Sequence, residues 1–240
     1  MIEEIICISL KHTKTRREHF KKNYPFNIPY KFLIVEKDKR GGLYGCFNSH
    51  IKIIKDVYKR GLNNVLIFED DAYPSKSFSK EKMEIVYDFL KTNKDWEAFY
   101  LGYFVSGSID NHNSFHLFSK IITKDIIKFN PLGTQSYILN RKGMKKILDT
   151  YHNYIGICHF DIYLSKFINL KCYCISPILF DQNFNLEHNI EPLYFYEYII
   201  RKLYPVSNFI KIHYNSSLLT YYSSLLFYYI YFNRNGRIYL

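Results

Sequence analysis

The apolar run Val65-Leu66-Ile67-Phe68 stops on three consecutive carboxylates, Glu69-Asp70-Asp71. Burying an unpaired carboxylate is costly. A strand that ends this way must deliver its end to solvent, to a cation or to a phosphate-bound metal. The surrounding chain is basic, with Lys+Arg 33 against Asp+Glu 22 and a net charge of +11. An acidic knot in a basic chain points to a metal that bridges protein carboxylates and an anionic ligand. The competing reading is a solvated strand end with an Asp-rich turn.

The segments around the triplet alternate between strand and helix patterns. Residues Glu4–Leu10 read as a buried strand, and residues 11–22, with Arg16, Arg17, His19 and Phe20, as a short basic helix broken by Pro25 and Pro29. Residues 30–35 form a second strand. Residues 45–60 carry Phe47, Ile51, Ile54, Val57 and Tyr58 at helical spacing, and Gly61 supplies a C-cap. After the third strand, Ser79 is an N-cap for a helix to about Leu90. Further strands are read at 97–102, 115–122, 133–139 and 171–175, a polar loop at 104–113, and helices at 140–151 (N-cap Asn140) and 159–169. This order argues for an α/β layered domain with a mainly parallel sheet flanked by helices. Ligands then bind beyond the carboxyl ends of the strands, where the acidic triplet sits. The boundaries expected are a domain at 1–190 and a Tyr-rich, basic, helical extension at 191–240.

At 240 residues and 48% hydrophobic content the chain can bury a real core. The positive balance favours anionic partners: nucleotide phosphates, nucleic acid or acidic lipid. Five scattered cysteines with no CxxC pair argue against a zinc site and for a reducing compartment. The first residues hold acids and no basic leader, and no stretch approaches the ~20 apolar residues that span a bilayer. A cytoplasmic protein is expected, with peripheral membrane contact or dimerisation through the aromatic tail left open.

Gly45-Cys46-Phe47-Asn48-Ser49-His50 places small residues at a helix start, where a backbone or a phosphate can approach closely. Taken alone, Ser49 and His50 read as ordinary packing residues first and as ligand contacts second. This hexad, followed about twenty residues on by Val65-Leu66-Ile67-Phe68-Glu69-Asp70-Asp71-Ala72, resembles glycosyltransferase family 25. The other motifs of that family follow in order: Leu10 with Arg16, Leu101-Gly102, Gly133-Thr134 with Tyr137 and Gly143, His159-Phe160-Asp161, and Pro177 with Gln182. The resemblance covers about residues 2–190. Two departures stand out. Ile54 sits where the family often has tryptophan, and the segment after Gln182 offers Glu187-His188-Asn189 instead of a serine-containing ending.

The resemblance implies a GT-A-like, Rossmann-type fold and an inverting transfer of a hexose from a UDP-sugar to a hydroxyl on a glycan, lipid-linked sugar or protein. It implies a divalent cation, manganese first and magnesium second, on Asp70 and Asp71; His188, in the segment that departs from the family pattern, reads as a further ligand or as an exposed loop histidine. Arg16, Gly45, Ser49, His50, Glu69, Asp70, Thr134 and Gln182 would line the donor side. Asp161 is the candidate general base, with acceptor binding and helix-start structure as its other readings. The alternative from a different class is an inactive, transferase-like module that binds membrane or nucleic acid through its tail. With the transferase reading no nucleic acid partner is expected.

Overall fold

Alternate side chains along the central strands point into two separate apolar layers, and this alternation sets the architecture. The computed structural model describes residues 2–104, 119–183 and 186. The strands β1 (Glu4–Leu10), β2 (Lys31–Val35), β3 (Asn64–Glu69), β5 (Ala98–Phe104), β6 (Lys120–Ile121), β7 (Ile126–Lys128), β8 (Leu132–Asn140) and β9 (Cys172–Ile175) form one sheet in the order β2-β1-β3-β8-β5-β9-β7-β6. β1 pairs in parallel with β2 and β3, and β5 with β9. β8 runs antiparallel to both β3 and β5, and β7 antiparallel to β9 and β6. All strands except β8 and β7 therefore point the same way, as expected for a mainly parallel sheet.

One face packs on α2 (Gly42–Lys59), α4 (Arg141–Thr150) and the short α5 (Phe160–Ile162), through Phe47, Ile51, Ile54, Met144, Ile147 and Phe160. The other face packs on α1 (Lys14–Asn23) and α3 (Lys80–Thr92), through Phe20, Met83, Val86 and Phe89. In β3, Val65 and Ile67 join the first layer, while Leu66 and Phe68 join the second. Full burial of a side chain such as Phe68 stabilises the fold by about 1.5–3 kcal/mol. Cys7, Cys172 and Cys174 are core residues.

Both expected N-caps form: Ser79 Oγ accepts from Lys82 N at 3.2 Å, and Asn140 Oδ1 from Gly143 N at 2.9 Å. Two helices differ from the sequence reading. α2 begins at Gly42, so the Gly45–His50 hexad occupies its second turn rather than its start. Gly41, at φ 103°, turns the chain into the helix early, and Arg40 stacks 3.3 Å from the centroid of Tyr44. The helix read at 159–169 is one turn, α5, continued by a π-helical turn over Tyr163–Phe167. That wider turn lets Tyr163 Oη reach Thr150 at 2.7 Å.

A two-stranded sheet joins β4 (Ala72–Pro74) to β10 (Phe180–Gln182), antiparallel, with Gln182 opposite Ala72. Sequence periodicity gave no sign of it. It lies against β5: Leu179 N donates to Leu101 O at 2.7 Å, and a Cβ on Gly102 would collide with the carbonyl oxygen of Phe180. Glycine at 102 is thus what allows β10 to close over the end of β3. Among the described residues no helix is long and apolar enough to cross a membrane. The expected helical tail at 191–240 and the first half of the strand read at 115–122 lie outside the described residues.

Candidate active site

The carboxyl ends of β1 and β3 and the start of the reversed β8 meet at one edge of the main sheet, and β10 closes over them. All three members of the acidic triplet are held there by named partners. Arg16, on the first turn of α1, places Nε 2.6 Å from Asp70 Oδ1 and a terminal nitrogen 2.6 Å from Asp71 Oδ2. Thr13 Oγ1 donates to Asp70 Oδ2 at 3.1 Å. Gln182 Nε2 donates to Asp71 Oδ2 at 2.8 Å, and Asn183 N to Asp71 O at 2.8 Å. Arg16, Asp70 and Asp71 are all buried.

Glu69 points to the other face. Its Oε1 accepts from Thr134 Oγ1 at 2.6 Å and lies 3.5 Å from His50 Nε2. His50 is fully buried, its Nδ1 is 2.8 Å from Tyr137 Oη, and its ring stacks on Phe160 at 4.5 Å. The residue next to Phe160 is Asp161. Its Oδ2 accepts from Gly133 N at 3.0 Å and its Oδ1 from Ile162 N at 2.8 Å. Consecutive residues of β8, Gly133 and Thr134, therefore hold the carboxylates of Asp161 and Glu69.

The electrostatics separate the three acids. Burial pushes Glu69 up, but His50, the Thr134 hydroxyl and Arg16 outweigh it and hold the group below its usual range. Burial wins at Asp70, which is raised despite Arg16. Burial wins by more at Asp71, which is raised to about 6 with Glu69 and Asp70 adding to the effect against Arg16. Asp70 and Asp71 share the single guanidinium of Arg16, and the charge of Glu69 adds to theirs. Asp71 Oδ1 is buried and has no hydrogen-bond partner among the described residues. A surplus of negative charge and an open carboxylate oxygen are what a hard divalent cation uses, so this donor set fits manganese or magnesium.

The remaining expected residues are placed as follows. Gly45 abuts Asp38, whose Cβ is 3.0 Å from where a Gly45 Cβ would stand, so this glycine admits a loop of the chain itself. Ser49 Oγ donates to Gly45 O at 2.7 Å, within α2. Arg16 engages the two aspartates. His188 lies outside the described residues. Thr13 went unread in the sequence: a hydroxyl before a basic helix looks like an N-cap, yet it makes no cap bond and turns to Asp70 instead.

The family model described as Glycosyltransferase family 25 (LPS biosynthesis protein) matches residues 36–168, more than half of the chain. Procollagen galactosyltransferase 1-A of Xenopus laevis is 27% identical over 128 residues, 42% of this chain and 21% of that protein. Inactive glycosyltransferase 25 family member 3 of Mus musculus is 38% identical over 61 residues, 25% of this chain and 10% of that protein. A glycosyltransferase involved in the glycosylation of the major capsid of PBCV-1 is 10% identical, with a TM-score of 0.41 over 69% of this chain and 76% of its own. The chain spans a tenth to about a fifth of the length of the curated relatives it matches. With the motifs in order and the family model covering the sheet edge that holds Glu69, Asp71 and Asp161, the chain belongs to glycosyltransferase family 25.

Proposed function

We propose that the protein transfers a hexose from a UDP-sugar to an acceptor hydroxyl, with a divalent cation and inversion at the anomeric carbon. The observation that carries this reading is the pairing on β8: Gly133 N holds Asp161 while Thr134 Oγ1 holds Glu69, so the proposed base and the acidic strand end are both tied to the start of one strand. The donor diphosphate would sit at the Asp70–Asp71 side, where Asp71 Oδ1 is the open oxygen and His188 is a further proposed ligand. A cation bound there offsets the charge that builds on the departing diphosphate.

Asp161 takes the proton of the acceptor hydroxyl as its oxygen bonds to the anomeric carbon. The bond from that carbon to the UDP phosphate oxygen breaks on the opposite face, and its electron pair leaves with UDP. The two backbone amides on Asp161 keep the carboxylate from swinging away. Gln182 keeps Asp71 in place through β10, and Arg16 keeps Asp70 and Asp71 from repelling each other. The names of the relatives make UDP-galactose the first donor to try, and glycan, lipid-linked and protein hydroxyls the acceptors.

A second reading, an inactive transferase-like binding module, has one observation in its favour. Arg16 already supplies a cation to the aspartate pair, and inactive members stand among the relatives. Any membrane contact or self-association in that reading would use residues 191–240.

A thermal-shift panel of nucleotide sugars, with and without manganese, tests the proposal. One UDP-sugar should raise Tm only when manganese is present, by the equivalent of about 2.7 kcal/mol at a hundredfold excess over Kd. A shift that is equal without metal, or no shift with any nucleotide sugar, contradicts it. Stabilisation without any turnover of the bound sugar selects the binding module.

A further inference from the structure

Cys46 and His50 are one turn apart on α2 and project from the same face, towards the end of β3. Cys46 Sγ, a ring nitrogen of His50 and a carboxylate oxygen of Glu69 all lie within 4.8 Å of one another. His50 is fixed from two sides, by the Tyr137 hydroxyl on Nδ1 and by the stacked ring of Phe160. Its other nitrogen, Nε2, is buried, has no hydrogen-bond partner among the described residues and faces Glu69 Oε1 at 3.5 Å. We propose that Cys46, His50 and Glu69 form a second cation site, selective for a thiophilic divalent ion of the zinc class and separate from the all-oxygen site at Asp71.

The donor set decides the selectivity. One sulfur, one imidazole nitrogen and one carboxylate oxygen suit zinc, whereas magnesium and manganese prefer oxygen alone. Zinc bonds of roughly 2.0–2.3 Å bring donor atoms to about 3.5 Å, so the three side chains need only close by about 1 Å. The Tyr137 hydroxyl supplies the outer contact that sets the ring orientation of a ligating histidine. Three protein ligands leave a fourth position for water. Burial and the carboxylates of Glu69, Asp161 and Asp71 keep the Cys46 thiol protonated in the metal-free protein. Binding forms the metal–sulfur bond and releases that proton to solvent. Cysteine spacing could not show the site, because its donors come from a helix and a strand rather than from a CxxC pair.

An ion held here would draw Glu69 away from Thr134 and oppose transfer; that consequence rests on the proposed transferase reading, while the binding does not. Cobalt(II) added to the full-length protein is the direct probe. One equivalent should produce a near-ultraviolet thiolate-to-cobalt charge-transfer band that excess zinc bleaches and excess manganese or magnesium leaves in place. Cys46→Ser should abolish the band while circular dichroism shows an intact fold, and Cys158→Ser should keep it. Survival of the band in Cys46→Ser, its absence in the folded wild-type protein, or its displacement by manganese overturns the site. A protein that shows the band with cobalt yet transfers no sugar once cobalt is removed and manganese is supplied refutes the transferase proposal alone.

Discussion

Asp161→Asn is expected to lower kcat for sugar transfer by about 10²- to 10⁴-fold, the range for removing a positioned general base. The donor-side stabilisation by UDP-sugar and manganese should persist, because Asp161 shares none of the contacts of Asp70, Asp71 or Gln182. The asparagine turns an NH2 group towards one of the two amides, Gly133 N or Ile162 N, that now donate to the carboxylate. A modest loss of stability accompanies the substitution for that reason. The readouts separate the roles of this residue. A fall in kcat at unchanged acceptor KM identifies the base. A rise in acceptor KM at unchanged kcat identifies acceptor binding. A change in unfolding free energy alone leaves Asp161 a helix-start residue.

Arg16→Gln carries the largest expected effect on stability. Its guanidinium is in contact with two buried carboxylates, and Arg16 is only 7% exposed. Removing one member of a buried ion pair costs about 3–5 kcal/mol, because the remaining charge is left without compensation. Two remain here. Lysine is a poor replacement, since a single ammonium cannot form the fork that spans Asp70 and Asp71. The deficit should depend on pH in a defined direction. Asp71 is raised from 3.8 to about 6 even with Arg16 in place, and Arg16 is what restrains it. A carboxyl whose folded pKa exceeds its unfolded value favours the fold when protonated and penalises it when ionised. That penalty is absent below about pH 4, grows as pH rises through about 6, and is larger without Arg16. Urea unfolding should therefore show a wider gap between Arg16→Gln and wild type at pH 7 than at pH 5. Added manganese should narrow it at pH 7. A gap below about 1 kcal/mol, or one that widens as pH falls, contradicts this role for the ion triplet.

The sheet was legible where a strand is a run of apolar residues, and it was not where pairing is short and distant. β1 and β3 follow from Ile5-Ile6-Cys7 and Val65-Leu66-Ile67-Phe68, whose side chains alternate into two buried layers. α2 follows from Phe47, Ile51, Ile54 and Val57. The reversal of β8 leaves no mark in its own residues, since a strand buried on both faces reads the same in either direction. The β4–β10 pair joins three-residue strands more than a hundred positions apart, and Asp181 and Gln182 carry no apolar signal. The site was legible in its acids, in Thr134 and in Gln182, which the fold brings to one edge. It was less so in its counter-charges. Arg16 lies in a basic run that reads equally as a solvated face and as a diphosphate contact. Only the tertiary approach of α1 to the end of β3 brings it to the two carboxylates.

The central claim is that Asp70 and Asp71 hold a divalent cation on which UDP-sugar turnover depends. The most direct measurement is manganese-dependent release of UDP from the UDP-sugar picked out by thermal shift, in the wild-type protein and in the Asp70→Asn/Asp71→Asn double variant. The wild-type protein should require manganese, and the folded double variant should show no turnover at any manganese concentration. Unchanged turnover and manganese dependence in the double variant would contradict the claim.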